Sequence, residues 1–145
     1  MKTVADVLKE KTSSFNFIGP DALVKEALQL LNIVNLSYLV VLKNDQYQGI
    51  FSERDYTRNV LLKGRTSDTA TVGEVMTTDL PMVSLDDTVE TCMHLLNEHK
   101  TRYLPAFYDL KFMGVVTIND VLRQAIANKE DVFDQLKSDE GEPVF

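Results

Sequence analysis

Apolar positions along this chain follow two spacings in turn, one of a helix and one of a strand, and the succession occurs twice. Val24, Ala27, Leu28, Leu31 and Val34 fall at helical spacing, as do Val89, Cys92, Met93 and Leu96, so each set predicts an amphipathic helix of about three to four turns. Asp21 and Asp86 precede these runs in the region where an N-cap is expected. Short apolar runs follow at Tyr38-Leu39-Val40-Val41-Leu42 and Tyr103-Leu104-Pro105-Ala106-Phe107, the length of buried strands. Polar breaks at Asn44-Asp45-Gln46 and Asp109-Leu110-Lys111 predict hairpins, with return strands over residues 47–51 and 112–116. Helices are predicted after them over residues 55–62 and 120–127, and short ones at Val4-Ala5-Asp6-Val7-Leu8 and Val72-Gly73-Glu74-Val75-Met76. Each copy reads βαββα.

An offset of 65 residues superimposes the copies without a gap. Asp21 meets Asp86, Val24 meets Val89, Leu30-Leu31-Asn32 meets Leu95-Leu96-Asn97 and Tyr38-Leu39 meets Tyr103-Leu104. Gly49 meets Gly114, Asp55 meets Asp120 and Arg58 meets Arg123, with Ser52 exchanged for Thr117. The expected fold class is α/β of the α+β kind, two tandem βαββα motifs packed as one pseudo-two-fold-symmetric domain, because about 60 residues are marginal as an independent unit. The boundaries are 1–65 for the first motif, 66–128 for the second and 129–145 for an acidic C-terminal helix end and tail, with Lys63-Gly64-Arg65-Thr66-Ser67-Asp68 as the polar linker.

Charge and composition narrow the partners. With 44% apolar residues the chain can build a core, and its net charge of −7 opposes the broad positive surface that phosphate backbones require, so no nucleic-acid partner is expected. Six acids and two lysines beyond Asn128 hold more than half of that charge, which leaves room for a local basic pocket elsewhere. One cysteine, Cys92, builds neither a disulfide framework nor a zinc site, and its match to Ala27 on the apolar helix face makes it a small core residue. His94 and His99 stand without thiol or hydroxyl partners and are read as solvated or partly packed, and the scattered methionines as core gap-fillers. No apolar stretch reaches membrane-spanning length and the N-terminus lacks a signal-like apolar region, so no membrane and a cytoplasmic address are expected.

The repeated polar element is Gly49-Ile50-Phe51-Ser52-Glu53-Arg54-Asp55 in one copy and Gly114-Val115-Val116-Thr117-Ile118-Asn119-Asp120 in the other, at the junction of strand and helix. A hydroxyl followed three residues later by a carboxylate is a capping box, which needs no function. The glycine three residues earlier is not part of that box; it suits a place where a ligand or another backbone comes close. The same carboxylate, in a first helical turn, can also accept from two adjacent hydroxyls such as a ribose diol. Both readings remain open on spacing alone.

These residues, with the doubled βαββα order, resemble the cystathionine β-synthase (CBS) domain pair, or Bateman module, over about residues 4–127. Phe51-Ser52-Glu53-Arg54-Asp55-Tyr56, Leu62-Lys63-Gly64-Arg65 and Arg102-Tyr103-Leu104-Pro105 look like small stand-alone bacterial members. The resemblance implies a non-enzymatic regulatory module, an energy sensor in which Ser52 with Asp55 and Thr117 with Asp120 hold ribose in separate clefts. It implies adenine beside the first strand of each motif, near Phe17-Ile18 or Met82-Val83, and phosphates met by Arg54, Arg58, Lys63, Arg65 and Arg102. The implied ligand is an adenine nucleotide, AMP or NAD(H) ahead of ATP, ADP or S-adenosylmethionine, with no obligatory cofactor. Arg102 in one copy faces Ser37 in the other, so unequal affinity is expected. A homodimer through Val121, Leu122, Ala125, Ile126, Val132, Phe133 and Leu136, and an unidentified protein target, complete the implied partners; a ligand-free dimerisation or interaction scaffold is the alternative. No catalytic set or metal site is visible in the sequence.

Overall fold

The computed structural model describes residues 2–11 and 16–127. Helix α1 spans Val4–Glu10, strand β1 Phe17–Ile18, α2 Val24–Val34, β2 Tyr38–Lys43 and β3 Gln46–Ser52. Helix α3, Glu53–Asp55, continues as a π-helix over Tyr56–Leu61, followed by α4, Val72–Val75. The second copy supplies β4 Val83–Ser84, α5 Val89–His99, β5 Tyr103–Tyr108 and β6 Lys111–Thr117, and residues 118–127 form α6.

Two three-stranded sheets result, ordered β1-β2-β3 and β4-β5-β6. In each, the short first strand runs parallel to the middle one and the hairpin is antiparallel, with registers that correspond at the 65-residue offset: Ile18 pairs Val41 and Val83 pairs Ala106. Even the register shifts correspond, between Val41 and Leu42 and between Ala106 and Phe107. Both hairpins close on two residues with positive φ, Asn44-Asp45 and Asp109-Leu110, the geometry whose twist matches that of paired strands. Asn and Asp tolerate it; Leu110 does so with its side chain 98% exposed.

The compact units are not the sequential halves. Among the described residues, one unit joins 2–11 to 81–127 and the other comprises 16–80. The leading helix of each copy therefore packs with the sheet of the other copy. Main-chain bonds show the anchoring, from Val4 N–H to Asp87 O at 2.8 Å and from Val72 N–H to Ala22 O at 2.8 Å. Each unit has its own apolar cluster. Val4 and Val7 join Val83, Cys92, Leu96, Leu104 and Val116 in one; Val72 and Val75 join Val24, Leu31, Leu39, Val41 and Phe51 in the other. Burying such a side chain stabilises by about 1.5–3 kcal/mol, so each exchanged helix is held by two valines more than by its short length.

Several expectations are corrected. The residue before α2 is Leu23, which makes no side-chain cap, and Thr88 caps α5 by accepting from Thr91 N–H; Asp21 and Asp86 cap neither helix. Asp87 instead closes the preceding turn, accepting from Ser84 N–H at 2.7 Å. The helix expected over residues 55–62 is α-helical for one turn and then π-helical, where Leu62 N–H reaches Thr57 O. Asn59 in that wide turn donates to Val75 O at 3.0 Å, and Val60 is buried. Met82 and Met93 are exposed rather than gap-fillers. Val121 is buried in its own unit, which leaves Leu122 and Ile126 as the large exposed apolar residues of α6; Val132, Phe133, Leu136 and the 129–145 tail lie outside the described residues.

Candidate functional site

The two copies of the repeated element form the same local turn and then diverge. In the unit containing residues 16–80, β3 ends at Ser52, whose extended backbone aims its hydroxyl at the first turn of α3. Ser52 N–H donates to Asp55 Oδ2 at 2.8 Å and the Ser52 hydroxyl at 3.0 Å, while Asp55 N–H reaches the Ser52 hydroxyl at 3.4 Å. The capping box is therefore made. The other carboxylate oxygen is taken as well, by the Thr77 hydroxyl at 2.5 Å. Asp55 is only 5% exposed, and burial pushes its carboxyl above the usual value against the opposing pull of these hydrogen bonds.

Gly49 shows which neighbour comes close. A Cβ there would stand 2.6 Å from Thr77 O, and Ile50 and Thr77 exchange N–H···O bonds of 3.0 and 2.9 Å. The glycine serves another backbone, and that backbone carries the hydroxyl that closes over Asp55.

In the unit containing residues 81–127 the turn is the same: Thr117 N–H donates to Asp120 Oδ2 at 2.9 Å and Asp120 N–H to the Thr117 hydroxyl at 3.2 Å. The carboxylate, 2% exposed, meets charge rather than a hydroxyl. Lys11 Nζ lies 3.0 Å from Oδ2 and donates also to Val115 O at 2.8 Å; Arg123 Nη2 holds Oδ1. Two cations on one buried acid compensate its desolvation, and both reach solvent: the Arg123 side chain is 67% exposed and Lys11 23%.

The remaining candidates are placed as follows. Ile18 is half-buried against the cluster of the 16–80 unit, and the Val83 side chain is inside the cluster of the other unit, so any contact of Val83 with a ligand falls to its main chain. Phe17 and Met82 beside them are exposed. Arg54, Arg58 and Lys63 lie on the exposed side of the helix after Ser52 and its end, and Arg65 is turned back onto Asn59 O at 2.7 Å. Arg102 is exposed, and its carbonyl accepts from Ile118 N–H at 2.9 Å, which sets it beside the Thr117–Asp120 turn. Ser37 holds the corresponding place, its carbonyl accepting from Glu53 N–H. Lys11, Thr77 and Arg123 are the residues that sequence reasoning missed at these acids. Arg123 had a signal, its match to Arg58; Lys11 and Thr77 are brought in only by the exchanged segments. Among the described residues no group of three or more His, Cys, Asp or Glu is arranged to hold a metal, and no helix is long and apolar enough to cross a membrane.

Known proteins share this fold. The CBS domain family matches residues 4–62 and 72–127. The chain is 29% identical over 145 residues to the mitochondrial CBS domain-containing protein CBSX3 of Arabidopsis thaliana, over 94% of this chain and 70% of that protein. A solved Burkholderia ambifaria protein with CBS domains superimposes with a TM-score of 0.80 at 32% identity, covering 87% of this chain and 95% of that one. The structure of CBSX2 in complex with AMP superimposes with a TM-score of 0.73 at 25% identity, over 88% of this chain and 98% of that one.

Proposed function

This chain belongs to the CBS domain family as a tandem pair, and from that we propose that it is a regulatory module whose Thr117–Asp120 turn binds an adenine nucleotide. The observation that carries the reading is the state of the Asp120 carboxylate. A buried acid held by two cations that reach solvent can exchange them for a ribose diol, and the released cations, with exposed Arg102 nearby, match the phosphates of the same ligand. Thr117 contributes a hydroxyl and its main chain to the sugar side. AMP and NAD(H) carry this pairing of diol and phosphate, as do ATP and ADP, and AMP is put first because it is the ligand in the CBSX2 complex.

Asp55 has less to offer. Its two oxygens already accept three hydrogen bonds, and a diol there has to displace Thr77. Ser52, Arg54, Asp55, Arg58 and Lys63 are thus a secondary site, filled after the first. The module carries out no reaction in this reading; occupancy acts on an unidentified protein target by favouring whichever conformation binds the nucleotide better. A homodimer through the exposed Leu122 and Ile126 of α6 belongs to the same proposal.

Calorimetric titration with AMP, ATP, NADH and S-adenosylmethionine tests it. A ligand at one hundred times its dissociation constant adds about 2.7 kcal/mol of stability, visible as a rise in melting temperature. Heat and a rise for at least one nucleotide are expected. Silence from all four would overturn the proposal in favour of an interaction scaffold whose repeated turns serve only as caps.

A further inference from the structure

The 65-residue offset pairs Ile50 with Val115 and Asp55 with Asp120, and the donors facing these pairs differ in kind. In one unit the acceptors Ile50 O and Asp55 Oδ1 are met by Thr77, through its main-chain N–H and its hydroxyl. In the other unit Val115 O and Asp120 Oδ2 are both met by a single group, the Lys11 ammonium, at 2.8 and 3.0 Å. A point charge on a flexible stem has replaced two neutral donors fixed to a backbone.

We propose that Lys11 is the specificity-determining residue of the Asp120 site, selecting ligands that bring an anionic group together with the diol. This inference rests on the reading of that site as adenosine-binding. When a diol takes the carboxylate, the ammonium loses its direct contact with that charge while Val115 O still holds it beside the ligand. A phosphate supplies a new counter-charge to it and to Arg123. A neutral nucleoside supplies no such counter-charge, and S-adenosylmethionine brings its sulfonium charge next to the ribose, with its carboxylate set further out along the methionine chain. The site therefore takes phosphorylated adenosine and rejects adenosine and S-adenosylmethionine. Thr77, carrying no charge, gives the Asp55 turn no such selection.

The test is calorimetry on the full chain with AMP, adenosine and S-adenosylmethionine, repeated on Lys11→Gln and Lys11→Arg. The wild-type chain should prefer AMP to adenosine by about thirtyfold or more, as one or two charge-assisted bonds imply. Lys11→Gln keeps a donor for Val115 O but no charge, and should weaken AMP about tenfold while leaving adenosine unchanged or tighter; Lys11→Arg should restore the preference. A purely structural role would weaken both ligands together. Equal wild-type affinity for AMP and adenosine, or an unaltered ratio in Lys11→Gln, would overturn the selector role and leave adenosine binding standing. Equal wild-type affinities overturn the selector role even if Lys11→Gln does not fold, and Lys11→Met, which also lacks the charge, then carries the comparison of AMP with adenosine. Absence of heat from all three ligands would overturn this inference, and silence from ATP and NADH as well would remove the binding site with it.

Discussion

Asp55 and Asp120 stand at the same place in two copies of one turn, yet one is sealed by a neighbouring hydroxyl and the other is balanced by two cations. The cap is common to both, with serine or threonine accepting from the helix and the acid returning to the strand-end N–H. A cap alone does not account for the difference, because it occupies only one face of each carboxylate. The exchanged leading segment adds Thr77 to Asp55 and Lys11 to Asp120, and Arg123 of α6 takes the second oxygen of Asp120, so there the copies part. A neutral donor at bonding distance makes a finished structural acid; cations that can reach solvent make an acid with exchangeable partners.

The largest effect should come from removing each acid in turn. Asp120→Ala should weaken AMP by at least about a hundredfold, or about 2.8 kcal/mol, while Asp55→Ala changes it less than about threefold. Calorimetry on both variants checks this, and equal losses would erase the distinction between the two turns. Next is Gly49→Ala, whose new methyl meets the Thr77 carbonyl, a backbone atom that moves only with its ladder. Denaturant unfolding should show a loss of about 2–3 kcal/mol.

A smaller effect separates the hairpins. Leu110 holds a positive φ that a side-chain-bearing residue adopts at a cost, and its side chain is almost wholly in water. Leu110→Gly should stabilise by about 1 kcal/mol in thermal unfolding, and Asp45→Gly at the matching position by less than about half of that. Failure of Leu110→Gly to stabilise would show that the first hairpin owes nothing to its better turn residues.

The smallest effect is a pH slope. Burial raises the Asp55 carboxyl above its ordinary 3.8, so between that value and its native one the folded chain keeps a proton that the unfolded chain releases. Stability contributed by Asp55 therefore falls as pH rises through that window. Asp6, held low chiefly by the Thr3 N–H, and Glu10, held low chiefly by Lys2, act oppositely and lose their contribution as pH falls. Comparing wild type with Asp55→Asn cancels those two. The variant should gain on the wild type as pH rises above about 3.8 in urea unfolding; a constant difference would mean that the Ser52 and Thr77 hydrogen bonds offset the desolvation of Asp55.

Much of the architecture was legible because it depends on local period. The strand pairs and hairpins at 38–52 and 103–117 follow from short apolar runs divided by turn residues, and both copies satisfy them in matching register. Cys92 and Ala27 are buried as their helical positions require. The caps of α2 and α5 were misplaced because Asp21 and Asp86 are two residues too early, and an acid near a helix start does not reveal which backbone N–H it can reach. The π-helix at 56–61 had no signal either, since its wide turn accompanies contacts of Asn59 and Val60 with residues distant in the chain.

The amino-acid order by itself determined a doubled unit, its elements, and an acid with a hydroxyl at each strand-to-helix junction, since periodicity and capping act over a few residues. Only the tertiary structure decided which leading helix joins which sheet, and hence that Thr77 faces Asp55 while Lys11 faces Asp120. Those partners are separated by 22 and 109 residues along the chain. No local pattern encodes such a meeting, because it is settled by where the valines of α1 and α4 find an apolar cluster to enter.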